Sequence, residues 1–203
     1  MTVNTGIQSD AATIPSANLQ RLEEFYIAFF NRVPDADGLM YWIDQLKAGQ
    51  SMNQIADNFY SAGLANPDLT GYSDAMSDKA FVDLIYKNAL GRNPASFIPL
   101  SDAEVQYWAD SLSGGGVSRG SLVNRMLTSA HTYQGDATWG WVVDLLEHKV
   151  AVATTVAINM GLSYSDPDQA IARGMAIAAA VTSTDTSHAI SLIGIDPASL
   201  HLS

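Results

Sequence analysis

Two stretches of the chain are copies of one pattern, and that duplication constrains the fold more than any other feature. Phe25-Tyr-Ile-Ala-Phe-Phe-Asn-Arg-Val-Pro34 aligns with Ile85-Tyr-Lys-Asn-Ala-Leu-Gly-Arg-Asn-Pro94, placing Tyr26, Arg32 and Pro34 on Tyr86, Arg92 and Pro94 at a constant offset of 60. The offset becomes 66 where Tyr41-Trp42 matches Tyr107-Trp108 and where Asp44 and Leu46 match Asp110 and Leu112. It becomes 67 where Ser51 matches Ser118, so two small loop insertions account for both shifts. A unit duplicated in tandem buries its apolar face against its twin. The repeat therefore favours a scaffold over an enzyme built round one asymmetric pocket.

Within each copy the apolar residues recur at helical spacing. Leu19, Leu22, Phe25, Tyr26, Phe29 and Phe30 form one stripe that ends at Pro34. Asp35 and Ser101 stand at one equivalent position and are residues that cap helix N-termini, and Glu104 completes a capping box with Ser101. The next helix carries Leu39, Trp42, Ile43 and Leu46, or Val105, Trp108 and Leu112, and stops at Gly49 or at the glycines of 114–116. Ser51 with Gln54 is a second capping box, opening a third helix with Ile55 and Phe59, matched by Leu122 and Met126.

The expected fold is all-α: two copies of a three-helix unit followed by a C-terminal helical, hairpin-like segment. The units occupy 18–62 and 78–131 within a duplicated region 18–135, with a Gly/Pro/Asp-bearing linker from Gly63 to Ser77. Residues 136–203 form the C-terminal segment. There Trp139 to Met160 reads as a long apolar helix closed by Gly161. Asp166-Pro167 with Gln169 starts a second helix running to about Val181, and a short helix from Thr186 to Ile193 precedes a loose tail. Ala176, Ala179 and Ala180 make a small-residue stripe that lets helix backbones approach closely. Residues 1–17, rich in small polar residues without a sustained period, read as a flexible N-terminal arm.

Composition excludes several classes of function. Ten basic against 21 acidic side chains give a net charge of -11, which repels phosphate backbones and anionic lipid heads, so nucleic acid is not an expected partner. Cysteine is absent, which closes thiolate chemistry and disulfides. The run Val150 to Ser165 has 16 residues, interrupted by Thr154, Thr155, Asn159 and Gly161. It falls short of the ~20 apolar residues that span a bilayer. The N-terminus has no cationic region before Arg21, so no cleaved secretory signal is expected.

Candidate chemistry is sparse. Gly116-Val117-Ser118-Arg119-Gly120 fits a nucleophile elbow, but a helix and glycines lead into it where a strand is required. The repeat aligns Ser118 with Ser51, whose role is capping. Asp35-Ala-Asp-Gly resembles the opening of a calcium loop, with Asp35 and Asp37 as the metal candidates. The bidentate glutamate of a full loop is missing, its place taken by Leu46, so capping is the preferred role and calcium the only cofactor considered. Asp44 and Asp110 are candidates to pair with Arg32 and Arg92. His131, His148, His188 and His201 are dispersed without metal-ligand spacing. Trp42 and Trp108 offer faces that stack on a sugar or a pigment, though a Tyr-Trp pair repeating at one helical position is far more often a core anchor.

The run Phe25 to Trp42 resembles the signature of a helical domain of unknown function found in bacterial secreted proteins. In that family it recurs in S-layer-like and RTX-type proteins, and it is similar to the linker domain of phycobilisomes. The stretch Phe81 to Pro94 with Tyr107-Trp108 resembles the family's following segment, departing from it by an insertion at 95–100 and by lacking Gly-Leu before Tyr-Trp. The resemblance implies an extracellular or cell-surface location reached by type I secretion without a cleaved signal peptide. The calcium-binding nonapeptides found in some members have no counterpart here.

The first functional expectation is a non-enzymatic structural protein that self-assembles into a surface layer, filament or matrix, with calcium assisting and cell-surface polysaccharide as a further partner. The alternative is a soluble binding or linker module for a partner protein, a glycan or a small apolar ligand.

Overall fold

The computed structural model describes residues 1–96 and 98–193. Phe97, His201 and the rest of the expected tail from residue 194 lie outside the described residues. The fold is all-α with an internal repeat. The first unit is α2 (Ser16–Phe30), α3 (Ala36–Lys47) and α4 (Met52–Leu64); a short α5 (Pro67–Thr70) leads to the second, α6 (Asp78–Leu90), α7 (Asp102–Ser113) and α8 (Arg119–His131).

Local chemistry sets the helix starts. Ser51 and Ser101 close complete capping boxes with Gln54 and Glu104. Ser118 Oγ accepts from the Ser121 N–H at 3.1 Å, so the serine of the elbow-like motif caps α8.

The copies pack face to face, and equivalent residues meet. On the first helices, Asn88 Nδ2 donates to the carbonyl of Ala28, its own counterpart in the repeat, at 3.1 Å. On the third helices, Asn124 donates to Asn53 at 2.8 Å, while Gly120, the counterpart of Asn53, abuts Asp57, the counterpart of Asn124. Such reciprocity is the signature of an approximate two-fold axis between like surfaces. Gly120 is what allows α4 and α8 to approach: a Cβ there would stand 2.4 Å from the Asp57 backbone nitrogen. Gly120→Val is accordingly expected to cost ~1–3 kcal/mol or more through overpacking, measured as a lowered urea midpoint at unchanged m-value.

One apolar core runs through both copies. The C-terminal segment covers it with α9 (Gly140–Thr154), which continues as a π-helical turn (Thr155–Asn159) to Gly161 at φ 61°. A second, smaller cluster gathers Val33, Val152, Val156, Ile177 and Ala189 between α9, α10 (Pro167–Ala179) and α11 (Ser187–Ser191). Asp166 caps α10 by accepting from the Asp168 N–H at 3.0 Å, with Pro167 in the first turn. The close approach on α10 is made by Gly174, not by the alanine stripe, for Ala176 and Ala179 are exposed. A Cβ on Gly174 would lie 2.7 Å from the Val33 carbonyl oxygen.

Residues 1–17 differ from the flexible arm expected of them. β1 (Thr2–Val3) pairs antiparallel with β2 (Leu162–Ser163), Asn4 N–H donates to the Gly161 carbonyl at 2.7 Å, and α1 (Ile7–Ala11) buries Ile7 completely. A two-residue strand and one helical turn are too short to show a period, so the sequence pattern is blank where two anchors suffice.

Among the described residues four charged side chains lie in the interior: Arg92, which belongs to the cleft described below, and Lys149, Glu24 and Glu23. Lys149 Nζ donates to the Asn88 carbonyl at 2.6 Å, and burial lowers its pKa to about 8. Glu24 receives His131 Nε2 at 2.6 Å, joining α2 to α8 and raising the imidazole above its ordinary pKa. Glu23 accepts from Thr154 Oγ1 at 2.9 Å, yet burial outweighs that bond and pushes its carboxyl up to about 8.

The folded state therefore keeps a proton on Glu23 that the unfolded chain releases in the ordinary carboxylate range. That contribution to stability is complete below about pH 4.5 and is lost as pH rises towards 8. Glu23→Gln, which mimics the protonated acid, is expected to flatten this decline and to raise stability at pH 8 by on the order of 2–4 kcal/mol, checked by denaturation from pH 5 to 9.

Candidate functional site

Each copy carries a cleft walled by the same positions. In the second copy it has a volume of about 610 Å³ and is lined by Tyr86, Leu90, Arg92, Trp108, Met126, Ser129 and Tyr133 among others. In the first it is about 220 Å³, lined by Tyr26, Phe30, Arg32, Trp42, Ala62 and Asn66, the counterparts of all but Met126. Of these shared positions, Tyr26 and Phe30, or Tyr86 and Leu90, come from the first helix, the arginine from the residues just after it, the tryptophan from the second helix, and the others from the third helix or the residues just past it.

Three substitutions explain why the second-copy cleft is the larger of the two. Phe59 stands where the second copy has Met126, and its ring stacks on Trp42 with centroids 4.2 Å apart. Phe30 stands where Leu90 does. Gly38 occupies the position of Glu104, and the Tyr26 hydroxyl fills the space over it: a Cβ on Gly38 would meet that oxygen at 2.6 Å.

In the second copy Glu104 reaches across to Arg92. Both carboxylate oxygens take guanidinium N–H groups, with Nη2 to Oε2 at 3.1 Å, and Arg92 Nη2 also donates to the Pro99 carbonyl at 3.1 Å. Such a bidentate pair fixes both side chains. Glu104 thus acts twice, as helix cap and as ion-pair partner, and Arg92 holds its carboxyl down to about 2. The buried guanidinium lies 4.3 Å over the Trp139 ring and 5.6 Å from that of Tyr86. Trp108 Nε1 donates to the Tyr86 hydroxyl at 3.0 Å.

The rim is aromatic and open. Tyr107 is 67% exposed and Tyr133 44% exposed. Trp108 and Trp139 are half-buried. Chemically the cleft offers flat apolar faces beside a fixed carboxylate–guanidinium pair, with Ser129 as the one serine and no cysteine or histidine among its lining residues.

The residues singled out from sequence fall elsewhere. Asp35 sits at the start of α3 with its carboxylate 3.9 Å from Arg32 Nη1, while Asp37 takes the Asn4 side-chain amide at 2.7 Å, so the two point to different partners. Among the described residues no three acidic or histidine side chains gather where a cation could sit. Asp44 pairs with Lys47 at 3.3 Å and Asp110 accepts from Gln106, in place of the arginines proposed for them. The tie between the first and second helices exists, but Asp35 and Glu104 make it. The two tryptophans divide: Trp42 is buried as a core anchor and Trp108 lines the open cleft. What sequence reasoning missed is the cleft itself, signalled only by a repeated arginine opposite a Gly-to-Glu exchange.

The fold and its paired clefts define a duplicated helical module. Segments 17–63 and 64–134 match the family described as Domain of unknown function (DUF4214). Together they cover more than half of the chain, which belongs to that family. The chain matches no curated protein and no solved structure.

Proposed function

We propose that this protein is a non-enzymatic glycan-binding module acting outside the cell, and that the cleft of the second copy is its binding site. The observation that carries this reading is the juxtaposition of the exposed Tyr107 and Tyr133 and the half-buried Trp108 and Trp139 with the Arg92–Glu104 pair. Aromatic faces stack on the apolar face of a pyranose ring, and a fixed carboxylate and guanidinium accept from and donate to its hydroxyls. A net charge of -11 favours a neutral glycan over an acidic one. Equatorially substituted, β-linked hexoses present the broadest apolar face and suit the cleft best.

Tyr107→Ala and Tyr133→Ala test this, because both rings are exposed and contribute little to the core. Titration calorimetry with cellohexaose and chitohexaose is expected to show binding of at least one by the native chain and at least a ten-fold weakening in each variant, with the melting temperature unchanged. Absence of binding to both sugars, or unaltered affinity in both variants, rejects the reading.

Self-assembly into a surface layer or matrix becomes, on this account, a consequence of polysaccharide binding. The polymer supplies the continuity, and calcium has no assigned place in the cleft.

A further inference from the structure

We infer that Asp136 is the positioning residue of the second-copy cleft: it holds residues 132–139 in the conformation that brings Tyr133 and Trp139 together at the cleft wall. The inference rests on the reading of that cleft as a glycan site.

The repeat shows what this segment does when it is not part of a cleft. His131 to Trp139 aligns with Leu64 to Tyr72 at an unbroken offset of 67, so Trp139 stands where the first copy has Tyr72. There the segment forms α5 and the aromatic ring turns inward. Tyr72 is fully buried, and its hydroxyl donates to the Phe29 carbonyl at 2.9 Å. The ring lies against Gly63, where a Cβ would meet Tyr72 Cδ2 at 2.4 Å. The second copy has Ala130 in the place of Gly63, and a methyl there fills the space that an inward ring needs. Trp139 is kept out of the core and lies instead under the Arg92 guanidinium, 4.3 Å from the ring centroid, as part of the cleft lining.

A segment without a buried anchor is held by its own polar groups. Residues 132–138 are all exposed, and Asp136 makes the bonds that close them into a loop. Its Oδ1 accepts from the N–H groups of Thr138 at 2.8 Å and Trp139 at 2.7 Å. Its own N–H donates to the Tyr133 carbonyl at 2.9 Å, and its carbonyl accepts from the Gly140 N–H at 2.9 Å. One exposed residue thus ties the backbone of Tyr133 to that of Trp139, and both rings line the cleft. Rings fixed before the ligand arrives spare it the entropy of ordering them, which is how a residue that touches no ligand raises affinity.

The test titrates the full chain with whichever of cellohexaose and chitohexaose it binds. Asp136→Ala removes the side-chain acceptor and is expected to weaken binding at least ten-fold. In the sugar-free ¹⁵N spectrum it should move or broaden the Trp139 indole signal and leave those of Trp42 and Trp141 in place. Asp136→Asn keeps an oxygen at the same position and is expected to restore both the affinity and the Trp139 signal. A helix start with no part in the cleft would change stability alone, so wild-type affinity in Asp136→Ala overturns the inference whatever its melting temperature. Weakened binding with an unmoved Trp139 signal, or Asp136→Asn binding as poorly as Asp136→Ala, also overturns it, and each of these outcomes leaves the glycan reading intact. A wild type that binds neither sugar identifies that reading as the one that has failed, and this inference falls with it.

Discussion

Truncating Phe59 to alanine is expected to lower the unfolding free energy by about 3–5 kcal/mol, the range for removing a fully buried aromatic ring. No other residue of the first copy meets so many rings: Phe25, Tyr26, Phe29, Phe30 and Trp42 all lie with centroids 4.2 to 5.8 Å away. These rings come from α2 and α3 and leave the cavity little room to collapse, because α2 is pinned on its other side by α6 and α9. The loss would be a large share of the 5–15 kcal/mol that holds a domain of ordinary stability. Urea denaturation monitored by circular dichroism reads it directly. A loss below about 1 kcal/mol would mean that the first copy is not organised round this ring.

Arg92→Met is expected to remove glycan binding and to cost roughly 2–4 kcal/mol. The figure lies towards the lower part of the range for breaking a buried ion pair, since Glu104 keeps about a third of its side chain in water (34% exposed) and can hydrate once its partner is gone. Three interactions are lost together: the bidentate pair, the bond to Pro99 and the cation over Trp139. The same variant carries a pH signature.

In the native chain Arg92 holds the Glu104 carboxyl down to about 2, so the pair's contribution is complete above the ordinary glutamate pKa near 4.5 and is lost as pH falls towards 2. That part of the acid destabilisation should be missing from Arg92→Met. A variant whose stability falls between pH 5 and 2 as steeply as the wild type would show that the pair is not what protects the fold there.

How much was legible in the sequence follows the range of each interaction. Ser51, Ser101, Ser118 and Asp166 were readable as caps because a cap acts on backbone groups within three residues of itself, so the whole device lies in a short string. The helices were readable from period alone. The partners of Arg32 and Arg92 were not, because Asp44 and Asp110 satisfy the spacing equally well on paper. Only the crossing of the first and second helices decides that Asp35 and Glu104 face the guanidinium groups. The N-terminal segment was misread for a related reason: Ile7 and the Thr2–Val3 pairing take their meaning from β2 and the π-helical turn, some 150 residues away.

The cleft was hidden in the same way. Met126 in place of Phe59 and Glu104 in place of Gly38 look like ordinary drift between copies until the walls stand opposite one another. They then account for the difference between about 610 and about 220 Å³.

The central claim is that the second copy, through its aromatic cleft, holds the ligand. The four tryptophans report on it independently, since each indole N–H gives its own nuclear magnetic resonance signal: Trp108 and Trp139 line the open cleft, Trp42 lies in the first copy and Trp141 on α9 outside both clefts. Titrating the ¹⁵N-labelled chain with cellohexaose and chitohexaose should move the Trp108 and Trp139 indole signals in a saturable way with at least one of them, leaving Trp42 and Trp141 in place. Four stationary signals at millimolar concentrations of both sugars, or movement confined to Trp42 and Trp141, would contradict it.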